Sequence, residues 1–157
     1  MKITLLAVGK TTNSIVESLT NVYIKRLTHY TDFSFVTIPE LKNTKSLSEA
    51  DQKQKEGELI LKTIPTGSKV ILLDEKGTEY TSVEFSQKIT AYQNSGVKNV
   101  VFIIGGPYGF SPGVYALASE KISLSKMTFS HQMVRAIFAE QLYRAFTIIK
   151  GEPYHHS

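Results

Sequence analysis

Short continuous apolar runs alternate along the chain with stretches in which apolar residues recur every three or four positions. The runs Ile3–Val8, Phe33–Ile38, Val70–Leu73 and Val100–Ile104 predict strands. The last is continuous and β-branched, as in a strand covered on both faces. Between them the spacing predicts helices. Ser14-x-x-Glu17 reads as a capping box opening a helix with Ile15, Leu19, Val22, Tyr23 and Leu27 at helical intervals. After the polar loop Leu41–Lys45, Ser46-x-x-Glu49 opens a charged helix that ends near Ile64-Pro65. Asp74–Gly77 predicts a turn. Thr81-x-x-Glu84 caps a helix to about Asn94 with Phe85, Ile89 and Tyr92 inward, and Gly96 as its stop.

Beyond Ile104 the pattern changes. Gly105-Gly106-Pro107-Tyr108-Gly109 is a glycine loop, and Ser111-Pro112 supplies an N-cap and a proline at the first helical position for a short helix to about Ser119. Ile122–Leu124 is a brief strand and Lys126–Phe129 a loop. Ser130 then caps a long final helix carrying Val134, Ile137, Phe138, Leu142, Phe146 and Ile149, closed by Gly151. Such alternation predicts an α/β fold, a parallel sheet with helices on both faces. Ligands of such sheets bind beyond the carboxyl ends of the strands, here the loops after Val8, Ile38, Leu73, Ile104 and Leu124.

A chain of 157 residues has enough core to fold without a disulfide or structural metal. It contains no cysteine, which excludes disulfides, thiolate metal sites and a cysteine nucleophile. No apolar run approaches the roughly 20 residues of a membrane-spanning helix, and the N-terminal run is too short for a signal peptide. The expectation is a cytoplasmic protein with no membrane and no metal partner. The formal net charge is +4. After residue 120, five basic side chains stand against two acidic ones, with His131, His155 and His156 in the same quarter. A polyanionic partner would bind there, although a solvated basic face has the same composition.

Three local patterns carry candidate chemistry. Val8-Gly9-Lys10-Thr11 ends like a phosphate-binding loop but has Thr4 where the first glycine belongs. Gly105-Gly106-x-x-Gly109 follows a strand and precedes a helix, which suits either close backbone approach to a ligand or a tight turn. The Leu124–Phe129 loop precedes a helix N-terminus, where free backbone N–H groups cluster. His131 falls in the first turn of that helix with Arg135 one turn on. Glu140 and Arg144 have the spacing of a surface ion pair.

Taken together, Lys2-Ile3-Thr4…Ala7-Val8-Gly9-Lys10, Ile104-Gly105-Gly106-x-x-Gly109, Leu124-Ser125-Lys126-Met127-Thr128-Phe129-x-His131-Gln132 and Glu140-Gln141-Leu142-Tyr143-Arg144-Ala145…Tyr154-His155 resemble the type H methyltransferases of ribosomal pseudouridine N3, a minimal branch of the SPOUT methyltransferases. The resemblance runs from Met1 to His155 and implies one SPOUT domain over residues 1–157, with a C-terminal trefoil knot. It implies S-adenosyl-L-methionine as cofactor, held by Leu73, Gly105 and the loop Leu124, Ser125, Lys126, Met127, Thr128 and Phe129. It implies a homodimer with the last helix in the interface, and 23S rRNA in the assembled ribosome as substrate. The catalytic candidates are His131 as base, Arg144 as a cation, and Tyr154 and His155 closing over the target. The chain departs from the family pattern twice. Ser130 replaces the usual proline and is itself a good N-cap. His156 and Ser157 replace a basic end, which removes one expected phosphate contact or makes it pH-dependent. Two other readings of the sequence are a non-catalytic RNA-binding module and a flavodoxin-like binder using Gly9–Ser14 as phosphate loop.

Overall fold

The computed structural model describes residues 1–156; Ser157, part of the expected tail departure, lies outside them. Five strands form one sheet: β1 (Lys2–Val8), β2 (Asp32–Ile38), β3 (Lys69–Glu79), β4 (Asn99–Ile104) and β5 (Glu120–Ser123). Their order is β2-β1-β4-β3-β5 and every pairing is parallel. The helices are α1 (Ser14–Leu27), α2 (Glu49–Thr63), α3 (Ser82–Asn94), α4 (Pro112–Leu117) and α5 (Met133–Lys150).

Alternate residues of the central strands feed two cores. Ile3, Leu5, Val100 and Phe102 pack with Leu27, Ile89, Phe138 and Phe146 from α1, α3 and α5. Leu6, Leu72, Val101 and Ile103 pack with Ile60 of α2 and Val114 of α4. The Phe102 and Phe138 rings, 4.8 Å apart, join sheet to α5. This is the layered α/β arrangement expected from the alternation of runs.

Several local expectations shift. The N-cap of α1 is Asn13, whose Oδ1 accepts from the amides of Ile15 and Val16, not Ser14. The cap of α2 is Ser48, not Ser46, which lies in a short 3₁₀ turn, Thr44–Ser46. Thr81 and Glu84 do form the reciprocal capping box. On α1 the inward residues are Val16, Thr20 and Leu27; Ile15, Leu19 and Val22 face outward, 78%, 43% and 44% exposed. β5 begins two residues before the expected Ile122 and ends at Ser123.

The largest difference concerns β3. Residues Asp74–Gly77, expected as a turn after a four-residue strand, lie inside an eleven-residue one. β5 pairs with β3 at Ile71–Leu73 and again at Thr78–Glu79, so that Leu73 and Thr78 both oppose Ile122. Gly77 lies against the β5 backbone at that point. A Cβ there would be 2.6 Å from Ile122 N and from Lys121 C, closer than any side chain tolerates. After β5 the chain returns to the opposite part of the sheet, where Gln132 and Arg135 bond to the β1–α1 connection.

Candidate active site

The middle of β3 and the carboxyl ends of β4 and β5 converge on a cavity of about 260 Å³, near the lower limit of small-molecule sites. Three segments wall it: Leu73–Glu75 from β3, Ile104–Phe110 after β4, and Ser123–Phe129 after β5, completed by Tyr115, His131 and Val134. The sequence-derived cofactor residues Leu73, Gly105, Leu124, Ser125, Met127, Thr128 and Phe129 therefore lie together with His131. Lys126 belongs to the same loop but is exposed and not on the wall.

Apolar side chains of Leu73, Ile104, Ile122, Leu124 and Val134 give the cavity its floor. Gly105 lies close to Phe110: a Cβ there would sit 3.1 Å from the ring, which would have to give way by a few tenths of an ångström. Gly106 is closed off, since its Cβ would strike the buried Glu56 carboxylate of α2. Ser125 shapes the last loop, its Oγ accepting from Met127 N–H at 2.9 Å while its carbonyl accepts from Ser123 Oγ. The amides of Lys126, Thr128 and Phe129 find no protein partner among the described residues. They are available to a ligand's hydrogen-bond acceptors.

Two acidic residues at the rim, Asp74 and Glu75, were read in sequence only as turn formers. Asp74 accepts from Tyr115 Oη at 2.6 Å, and Glu75 from Thr128 Oγ1 at 2.9 Å, which ties the β3 segment to α4 and to the last loop. Burial and then the bond to Asp74 push the Tyr115 hydroxyl up to about 12, so it remains a donor at neutral pH. A cavity with apolar walls, free amides and a carboxylate rim fits a ligand carrying a heterocycle and positive charge. Among the described residues no cluster of three metal-ligating side chains occurs.

Arg135, noted in sequence as a companion of His131, is a buried strut. It is 1% exposed. Its guanidinium donates to the carbonyls of Val8, Gly9 and His131 and to Thr11 Oγ1, at 2.9–3.0 Å. Gln132 accepts from Thr12 N–H at 2.7 Å and donates to Lys10 carbonyl. The Gly9–Ser14 segment is thus occupied by the chain's own side chains rather than open as a phosphate loop. α5 begins at Met133 with Gln132 at its N-cap position and no side-chain cap. Ser130 is therefore not the cap expected of it, and His131 precedes the helix rather than lying in its first turn. Ser130 Oγ still accepts from Met133 N–H.

Arg144, Tyr154 and His155 form a second group. Arg144 lies ten residues beyond Val134 on α5, roughly 15 Å along the axis at about 1.5 Å per residue. Tyr154 packs edge-on against Tyr143, 4.7 Å between ring centres, and Arg144 lies 4.6 Å over the Tyr154 ring. Within one chain this group and His131 do not share the cavity. Its centre is Glu140, read in sequence only as half of a surface pair. Glu140 Oε1 accepts from Arg144 Nε, Arg144 Nη2 and Tyr154 Oη.

A family model described as "Predicted SPOUT methyltransferase" matches residues 1–155. Proteins named ribosomal RNA large subunit methyltransferase H are similar over 99% of this chain and 99% of their own length: 57% identical in Parabacteroides distasonis, 56% in Christiangramia forsetii and 55% in Flavobacterium johnsoniae.

Proposed function

Since the chain belongs to the SPOUT methyltransferase family, whose fold carries a C-terminal trefoil knot, we propose that it is a single-domain enzyme over residues 1–157. It methylates N3 of a pseudouridine in 23S rRNA of the assembled ribosome, with S-adenosyl-L-methionine as donor. The observation that carries the reading is the convergence of the Leu73–Glu75, Ile104–Phe110 and Ser123–Phe129 segments on one cavity. Bound there, S-adenosyl-L-methionine supplies an electrophilic methyl group.

The protein's part is positioning and proton management. Leu73, Gly105, Leu124, Ser125, Met127, Thr128 and Phe129 form the cofactor walls, with Lys126 outside facing the rRNA. The free amides of the last loop take up a heterocycle edge, and Asp74 and Glu75 lie where positive charge is favoured. N3 must give up its proton as its bond to the methyl carbon forms. His131, exposed on the cavity wall, is the group to receive it. Arg144, Tyr154 and His155 act on the target base from a second copy of the chain. A homodimer is supported by the apolar side chains that α1 and α5 leave outward along their shared packing, Ile15, Leu19, Val22 and Met133. Among the described residues no helix is long and apolar enough to cross a membrane, and a ribosomal substrate places the work in the cytoplasm.

The test is methylation of ribosomes from a strain lacking the enzyme, with the product nucleoside mapped by mass spectrometry. N3-methylpseudouridine in 23S rRNA is expected. No methyl uptake, or uptake at a carbon or ribose position, would overturn the assignment.

A further inference from the structure

The tail group is wired in a way that decides what His155 can do. Glu140 Oε1 accepts from Arg144 Nε at 3.1 Å and Nη2 at 2.7 Å, which locks the guanidinium plane. The same oxygen accepts from Tyr154 Oη at 3.1 Å, and Gln141 Nε2 donates to the other, Oε2, at 2.7 Å. With its own proton committed to Glu140, Tyr154 receives the hydroxyl of Tyr23 at 3.4 Å. Burial first, then these contacts, hold the Tyr154 hydroxyl well above its usual range, so it stays protonated. Arg144 then aims Nη1 at Nδ1 of His155, 3.3 Å away.

A guanidinium donates and never accepts. The His155 nitrogen that faces it must carry a lone pair, so the ring proton sits on Nε2. Protonating Nδ1 would set two N–H groups against each other beside a fixed positive charge. We propose that Glu140 is a positioning residue that, through Arg144, fixes His155 as the neutral Nε2–H tautomer, so that His155 offers the target base a hydrogen-bond donor and not a proton acceptor.

This inference rests on the proposed function for its acceptor. In a uracil-type ring the nitrogen at position 3 lies between two carbonyl groups, and loss of its proton puts negative charge on their oxygens. A preorganised N–H aimed at such an oxygen is the kind of donor whose removal lowers kcat by about 10²–10³. Proton acceptance falls to His131, in the other group of residues.

The decisive readout needs no ribosome. In protein labelled with ¹⁵N-histidine, the ring nitrogens of His155, assigned with His155→Asn, are expected to show an unprotonated Nδ1 and a protonated Nε2 at neutral pH. Glu140→Gln and Arg144→Met should each relax the ring toward the tautomer mixture of free imidazole. In ribosome methylation, His155→Gln, which keeps a donor, should retain more turnover than His155→Phe, with the difference in kcat rather than KM. A wild-type spectrum with the proton on Nδ1 overturns the inference, even if Glu140→Gln fails to fold. So does a His155 tautomer unchanged in a folded Glu140→Gln. Absence of ribosome methylation by the wild type would instead remove the proposed function and leave the tautomer result standing.

Discussion

Replacing Arg135 with methionine keeps most of the side chain's apolar volume and removes a cation that is 1% exposed and donates four hydrogen bonds. A hydrogen bond to a charged group contributes about 1.5–3 kcal/mol. Burying the guanidinium costs part of that sum, since among the described residues no carboxylate forms a salt bridge with it and burial pulls its pKa down. What remains is the penalty for the Val8, Gly9 and His131 carbonyls left without their donor. Each buried acceptor left without a partner costs about 1–3 kcal/mol, so three carbonyls, less the desolvation recovered on removing the cation, amount to about 3–5 kcal/mol, a large share of a total stability of about 5–15 kcal/mol. With a urea m-value of about 2 kcal/mol/M, the unfolding midpoint should fall by about 2 M. Lysine, with three donors on one point charge, should fall between. The same bonds hold the chain on either side of His131, so affinity for S-adenosyl-L-methionine should weaken even under conditions where the variant is folded. A midpoint within 0.5 M of wild type together with unchanged cofactor affinity would refute the reasoning that this residue locks the C-terminal segment to β1.

Gly77→Ala places a Cβ 2.6 Å from β5 backbone atoms, and should abolish soluble expression or cofactor binding by calorimetry. Gly113→Ala, with its nearest neighbour at 3.6 Å, serves as the tolerated control. Thr81→Ala removes one side of the α3 capping box and should cost about 1 kcal/mol, read as a Tm lower by about 2–4 °C for a chain of this size. Glu120 is opposed by burial, but Lys88, Lys69 and Tyr92 prevail and hold its carboxyl below the usual range. A carboxyl depressed by folding stabilises the protein above its unfolded value of about 4.3 and loses that contribution as pH falls through the folded value. Glu120→Gln should therefore flatten the acid limb of the urea midpoint between neutral pH and pH 3, and parallel pH curves for variant and wild type would contradict it.

What the sequence made legible was whatever a local pattern determines, and what it hid depends on distant partners. The four apolar runs became strands, the continuous β-branched Val100–Ile104 being the centre of the sheet and buried along its length, and Thr81-x-x-Glu84 became a capping box because all its partners lie within four residues. Adjacent candidates defeated the same logic at α1. Asn13 and Ser14 are both good caps, and the longer Asn13 side chain captures two amides. The polar stretch Asp74–Glu79 does not alternate like a strand, since its regularity is imposed by pairing with β5 some forty residues later. Apolar residues at 15, 19 and 22 satisfy a helical repeat whether the face they make meets the core or another molecule, so the pattern could not assign their direction. The proposed cofactor residues came from a family resemblance, and all of them but Lys126 line one cavity. Asp74 and Glu75 escaped because a carboxylate after a strand is the ordinary signature of a turn. Glu140 shows the limit most sharply. Its i,i+4 partner is visible in the sequence, but its importance comes from Tyr154, and through Tyr154 from Tyr23, which precedes Tyr154 by 131 positions. Only folding reveals that a carboxylate with the spacing of a surface ion pair sets the donor and acceptor sense of a whole side-chain chain.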